Sequence, residues 1–584
     1  MKKILRKPLF YLLPLLAVTY LVTISARLDI SDLKLIKNDT IENIKLPYSS
    51  HEIQNNEIFL ISFNLFVKNK IARLSINPDD CIQEIFINGK KFPLDGMTNL
   101  CDYGRGVKFD FSKYVSDGLN HFEIRIKNSY GGPGGVRINM SNNGFKDISS
   151  IHYIFVLLLL LSIALILKKM KFKFIATSII LLGIIVRLIL YTYTGPEENA
   201  YDTHGHLNYI RIISEEKRLP QANECWQCYQ PPLYYIAFAV VKNIADRYEP
   251  NITNRIMQQG NLLLSFVCVI LGVTLILNLF GNNMGAYLAA LVSILWPGFV
   301  LAAPRISNDI PFYLGALLCM LFALRYWRTH KNSDMLFASI GAAIALTAKS
   351  NGLIILAAWI IIYILSAARS FNTGSLRILF ASILIIVLSI GFSHHKMIIN
   401  NFGGKNVELV GNISGLPDGL KVNNTAGNYL YFDLQDYLLE SYVDPFQDKG
   451  GRQYFWNYAL KTSLFGDFKL WDSNIGRTLA TALSILALLI FIFALWGIIH
   501  VNIKDFPPMI FTVFLFIALI CYRAIYPYSC SNDFRFIFPV LFPLVYFSVR
   551  GVQILVNSRL RKLSYMIFVA FAGLSLLFTV GRWF

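Results

Sequence analysis

A chain of 584 residues that is 55% apolar, 14% aromatic and only 15% charged is too greasy for a soluble multidomain protein and long enough for many membrane spans. Its net charge of +18 does not call for a nucleic-acid partner, because excess Lys and Arg is what the cytoplasmic loops of a polytopic protein need for orientation. Its eight cysteines form no dense disulfide framework, and five of them (Cys81, Cys101, Cys225, Cys228, Cys530) fall in segments expected outside the membrane core.

Lys2, Lys3, Arg6 and Lys7 precede an apolar run from Leu9 to Ile24. A signal peptide and an uncleaved anchor both fit; the long run and the poor cleavage site at Ser25-Ala26 favour a signal anchor over residues 1–28, with a cytoplasmic N-terminus. Residues 29–150 change character. Alternating apolar runs at 58–67, 82–87 and 121–126, with Asn88-Gly89 and a Gly-Gly-Pro-Gly-Gly cluster between runs, are strand and hairpin signals. They predict an extracytoplasmic β-sandwich of about eight strands. The stretches DDCIQEIFINGKKF, from Asp79, and GLNHFEIRIKN, from Gly118, resemble the galactose-binding-like jelly roll. That resemblance implies either a sugar-binding domain or a structural one without ligand.

A membrane core is expected from 151 to 397. Lys168, Lys169, Lys171 and Lys173 make the turn after a span at 154–167 cytoplasmic, so the next span, 174–194, delivers the loop 195–235 to the outside. From Glu197 to Tyr235 that loop reads EENAYDTHGHLNYIRIISEEKRLPQANECWQCYQPPLYY, with acids, imidazoles, two thiols and an aromatic pair packed together. It is the expected functional centre. A crossing at 234–241 would flip Arg325, Arg328 and Lys331 to the outside, so this piece is placed along the outer interface with its Tyr pair at headgroup depth. Further spans are expected at 258–280, 284–302, 310–327, 334–348, 352–367 and 376–397, then an extracytoplasmic loop at 398–477. C-terminal membrane helices follow across 478–584, at 478–500, 508–522, 534–549 and 563–582, for about thirteen spans in all.

Arg187, Arg305, Asp309, Lys349, His394, His395, Lys396, Arg523, Asp533 and Arg535 all map to the outer ends of their spans, while the span centres are nearly free of charge. A transporter needs polar groups near the midplane. One charged layer at the outer leaflet points instead to chemistry on a lipid-anchored substrate, and its cations suit a lipid phosphate.

The acid after the first core span, Pro231-Pro-Leu-Tyr-Tyr235, Pro304-Arg-Ile-Ser-Asn-Asp309 and Leu346-Thr-Ala-Lys349 resemble, in that order, the GT-C membrane glycosyltransferases over roughly residues 173–584. Within that superfamily the similarity is to bacterial relatives of the protein O-mannosyltransferases and of the aminoarabinose transferase that modifies lipid A. The resemblance implies an inverting hexosyl- or pentosyltransferase of EC class 2.4. Its donor would be a polyprenyl-phosphate sugar and its acceptor an extracytoplasmic glycan, lipid or protein. Asp202 matches the family's first-loop acid, a general base or the ligand of a divalent cation; Asp309 matches its second-loop acid, and Lys349 its Thr-Lys position. Thr203 stands where the protein mannosyltransferases carry Glu, which tells against protein as acceptor.

Each candidate also has a plainer reading. Asp202 suits a helix N-cap, and Asp309 an ion pair with Arg305 one turn away. His206, Tyr234, Tyr235, Arg187, Arg305, Lys349, Arg523 and Arg535 are the candidate substrate-binding groups; Asp533-Phe-Arg535 also fits a structural ion pair. Cys225 and Cys228 suit a local disulfide, or a zinc site with His204 and His206, and Cys81 with Cys101 a bridge across the sandwich. In the 398–477 loop, Asp433, Asp436, Glu440, Asp444 and Arg452 among aromatics suit sugar faces or an interfacial helix. The alternatives to a transferase are a flippase or transporter of lipid-linked sugars and a glycan-binding scaffold.

Overall fold

The computed structural model describes residues 30–140 apart from 38–39, 45–47, 51–52, 55, 68–71, 79–80, 95–99, 102–106 and 129–133. It further describes 163–369 apart from 164, 166, 170–171, 197–200 and 249–252, then 376–395, and 415–581 apart from 556–557. The expected signal anchor, most of the span at 154–167, Glu197, Lys396 and the start of the 398–477 loop lie outside these residues.

Alternation in the first region produces ten strands, all paired antiparallel. In chain order they are β1 (Ile30–Lys37), β2 (Thr40–Asn43), β3 (Tyr48–Ser50), β4 (Ile58–Val67), β5 (Arg73–Pro78), β6 (Cys81–Ile87), β7 (Lys90–Lys91), β8 (Val107–Asp110), β9 (Gly118–Lys127) and β10 (Gly134–Met140). Six strands run β2-β1-β4-β9-β6-β7 and four run β3-β10-β5-β8. The long β4–β9 pair buries Phe59, Ile61, Phe63 and Leu65 on one strand and Phe122, Ile124 and Ile126 on the other. These form one core with Leu74 and Ile76 of the smaller sheet, and Phe63 stacks on Phe122 at 5.3 Å. The strands beyond the expected eight are short, β3 and β7 having three and two residues. Asn88 and Gly89 both take positive φ (50° and 76°) in the β6–β7 turn, as Asn-Gly hairpins require. Cys81 and Cys101 are bonded, but Cys101 lies beside β6, where the Ile82 N–H donates to the Leu100 carbonyl at 3.0 Å. The bridge is therefore a local tie at the start of β6, not a link between the sheets.

The rest is a multi-pass helical membrane protein. Among the described residues eight helices are long and apolar enough to cross a membrane: Phe174–Tyr193, Thr253–Phe280, Asp309–Thr329, Leu376–Ser393, Asn474–Ile499, Ile503–Ile525, Ser529–Ile554 and Ser564–Gly581. Three shorter apolar helices, Met284–Leu295, Asn332–Ala348 and Gly352–Ala367, occupy other expected positions. The segment expected as one span at 284–302 is broken, because Trp296 leaves helical geometry and Pro297 starts a new helix to Ala302. Residues 534–540, carrying Pro539, form two short 3₁₀ turns kinked at Ile537 before the helix Leu541–Leu555.

Helices Asp309–Thr329 and Asn332–Ala348 cross with backbones touching. A Cβ on Gly315 would lie 2.3 Å from the Ala345 nitrogen, and one on Gly341 2.4 Å from that of Cys319, so only glycine fits. The described part of the 398–477 stretch is packed against the spans and is not a free loop. Trp456 meets the rings of Phe491 and Phe516, each at 5.7 Å, and the Tyr437 hydroxyl donates to the Ser484 carbonyl, well inside the Asn474–Ile499 helix.

Candidate active site

Helix Thr203–Glu216 buries Tyr209, Ile210 and Ile212 against Tyr234, Tyr235 and Phe238 of helix Leu233–Tyr248. The Tyr pair is thus turned into the protein interior, 2% and 0% exposed. Tyr235 stacks on Tyr209 at 3.8 Å, and its hydroxyl is 2.9 Å from His206 Nδ1. His206 is likewise buried. Burial pushes its pKa down to about 4, against the pull of Asp202 and Asp309, so the imidazole is neutral near pH 7.

This paired-helix platform forms one wall of a cavity of about 310 Å³. Asp202, His206, Asp309, Lys349 and Arg535 all line it, together with Tyr201, Trp226, Gln230, Asn308, Asp467 and Phe536. Asp202 stands at the head of helix Thr203–Glu216 but in left-handed backbone conformation (φ 52°, ψ 20°), and its side chain makes no capping bond. A capping side chain ordinarily springs from extended backbone. Here the carboxylate turns to the cavity instead: Trp226 Nε1–H donates to Oδ1 at 3.0 Å, and Arg535 Nη2 faces Oδ2 at 3.5 Å.

Asp309 does not pair with Arg305 as its spacing suggested. Its carboxylate is ion-paired with Lys349, both side chains being nearly fully buried, across the tight helix hairpin. The Lys349 ammonium also lies 4.9 Å from the Phe536 ring. Arg535 sits 3.9 Å from the Tyr201 ring and 3.2 Å from Asp533, an ion pair without hydrogen-bond alignment. Arg305 approaches the same Tyr201 ring at 4.7 Å, behind the cavity wall. The Tyr201 hydroxyl accepts the Asp467 N–H at 2.8 Å, and the Asp467 carboxylate accepts the Tyr458 hydroxyl at 2.6 Å. Burial, reinforced by Asp533, raises the Asp467 pKa to about 7.

The remaining candidates lie elsewhere. Arg187 is fully buried, donates to the carbonyls of Gly183, Ile294 and Phe299, and lies over the Phe299 ring at 4.6 Å, closing the break at Trp296-Pro297. Arg523 donates to the Asn423 carbonyl at 2.8 Å, tying the 415–470 stretch to the Phe506–Ile525 helix. Neither lines the cavity. Trp226, Asp467 and Phe536 were not expected at the site, and only Trp226 carried a signal, its place between the two cysteines. Cys225 and Cys228 are disulfide-bonded, which removes the thiols from any zinc site with His204 and His206. No group of three His, Cys, Asp or Glu side chains able to hold a metal ion occurs among the described residues, and an indole N–H and a guanidinium face the Asp202 oxygens.

Residues 250–393, under half of the chain, match the model of a family described as dolichyl-phosphate-mannose-protein mannosyltransferase. The matched segment holds Arg305, Asp309 and Lys349 but neither Asp202 nor Arg535. No curated protein sequence matches the chain. Among solved structures it is similar to ArnT from Cupriavidus metallidurans bound to undecaprenyl phosphate, at 13% identity over 70% of this chain and 75% of that one, with a TM-score of 0.37. It is similar to the oligosaccharyltransferase AglB from Archaeoglobus fulgidus, in complex with an inhibitory peptide and a dolichol-phosphate, at 11% identity, 70% and 55% coverage and a TM-score of 0.40. Arabinosyltransferase EmbB from Mycobacterium smegmatis is a third, at 13% identity, 98% and 63% coverage and a TM-score of 0.34. The chain thus spans little more than half the length of AglB and under two thirds of EmbB.

Proposed function

We propose that this protein is a glycosyltransferase that moves a monosaccharide from a polyprenyl-phosphate carrier to an acceptor outside the cytoplasm. The observation that carries the reading is one cavity lined by a partly exposed carboxylate, Asp202, and two cations, Lys349 and Arg535. The family description matched over residues 250–393 supports the same donor class. The acceptor hydroxyl attacks the anomeric carbon and its proton passes to Asp202. The bond from that carbon to the phosphate oxygen breaks, and the carrier phosphate leaves with the electron pair, so the anomeric configuration inverts. Lys349 and Arg535 stabilise the charge gathering on the phosphate, where each well-placed donor contributes about 3 kcal/mol. Asp309 holds Lys349 in place, and neutral His206 with Tyr235 supports the helix that carries Asp202.

The test offers purified full-length protein a panel of polyprenyl-phosphate sugars with candidate acceptors and measures free polyprenyl phosphate. Release with a particular sugar, dependent on an acceptor, is expected. Movement of intact lipid-linked sugar across a vesicle membrane without cleavage would identify a transporter instead.

A further inference from the structure

Asp202 needs its carboxylate aimed, not merely present. A base works within hydrogen-bond reach of one hydroxyl, and a carboxylate free to rotate about its side-chain bonds spends little time there. Arg535 alone fixes it poorly, since its nearest nitrogen is 3.5 Å away. The shorter contact is the neutral one, Trp226 Nε1–H to Oδ1 at 3.0 Å. A neutral donor holds one oxygen without adding a second full positive charge, leaving the other oxygen for a proton.

We infer that Trp226 is a positioning residue for Asp202, and that the Cys225–Cys228 bridge is the clamp that keeps its indole there; this rests on reading Asp202 as the base. The bridge brackets Trp226 and Gln227 within two successive tight turns, the Cys228 N–H donating to the Cys225 carbonyl and the Gln230 N–H to that of Gln227, each at 3.0 Å. Cys228 is fully buried in the core that joins Tyr209 to Tyr235, so the clamp is anchored in the same platform that carries Asp202. Glycines make room for the indole at both ends. A Cβ on Gly205 would come within 3.1 Å of the Trp226 Cβ, and one on Gly415 within 3.0 Å of its Cζ3. The indole is seated between Gly205 of the first-loop helix and Gly415.

The experiment measures carrier-phosphate release by four full-length proteins, Trp226→Phe, Cys225→Ser/Cys228→Ser, Asp202→Asn and Trp226→Phe/Asp202→Asn, with thermal unfolding in detergent to confirm folding. Trp226→Phe keeps an aromatic ring and loses the N–H. Its kcat should fall at least about tenfold, the low end for losing a hydrogen bond to a charged group, with KM little changed. The cysteine pair variant should match it. In the Asp202→Asn background the same Trp226→Phe change should have almost no further effect, because its action runs through that carboxylate. A wild-type kcat in Trp226→Phe, or an equal loss in both backgrounds, overturns the positioning role; a wild-type kcat in the cysteine variant overturns the clamp. Full activity of Asp202→Asn defeats the base reading and this inference with it, whereas full activity of Trp226→Phe beside an inactive Asp202→Asn defeats this inference alone.

Discussion

At the scale of single residues, Asp202→Asn separates a base from a cap. Because the side chain makes no capping bond, the amide should leave thermal unfolding almost unchanged. Turnover should drop at least about a hundredfold, the low end of general base catalysis, as read by carrier-phosphate release. A second prediction uses proton linkage. Burial holds the His206 pKa at about 4, below its unfolded value, so its contribution to stability is present above about pH 6.5 and lost as pH falls towards 4. Asp467 has the opposite sign: its pKa is raised to about 7, so stability is lost as pH rises from about 4 through 7. Melting temperature against pH should therefore flatten on the acidic side in His206→Gln, and in Asp467→Asn should lose its decline towards neutrality. Short spacing named one ion pair that the structure contains, Asp533 with Arg535, and misjudged another. Arg305, four residues away, was the only basic group that spacing could offer Asp309, while its true partner, Lys349, is brought in by a hairpin. Arg187 showed a charge at a span end, but nothing in the chain revealed that carbonyls freed at Trp296-Pro297 would absorb it.

At the scale of elements, the strands were legible because a half-buried strand writes its period into the chain, and β4 and β9 do so over ten residues each. The stretch 415–470 was not, since Trp456 and Tyr437 beside acids are equally suited to sugar, to headgroups and to a packed interior. The two-sheet region has its own core, so a fragment of residues 29–150 made in an oxidising compartment should unfold cooperatively in urea. Replacing Cys81 and Cys101 by Ser opens a loop with a sequence separation of 20 residues and should lower its stability by about 3 kcal/mol. A fragment that shows no cooperative transition would mean that this region folds only with the membrane core.

At the scale of the whole molecule, the hairpin Asp309–Thr329 and Asn332–Ala348 is a measuring rod. Asp309 and Lys349 mark its cavity end, and Arg325, Arg328 and Lys331 its turn, about 30 Å away at the rise of an α-helix, which is the thickness of a bilayer core. Basic turns stay cytoplasmic, so the cavity should open to the other side. Thiol-labelling of intact cells should leave a cysteine at Lys331 protected and reach one at Asp418, both exposed positions; the reverse pattern would invert the molecule.

The glycine contact inside that hairpin also decides which side of the cavity can give way. Two backbones in direct touch at Gly315 and Gly341 leave no side chain to reshuffle, so the Asp309–Lys349 wall moves as one rigid plate or not at all. Leu416, Pro417, Leu420 and Phe446 also line the cavity from outside the hairpin, and Phe446 is half exposed. Room for a larger occupant must come from that side. A variant designed to enlarge this cavity should be carved at residues 416–446 and leave the hairpin alone.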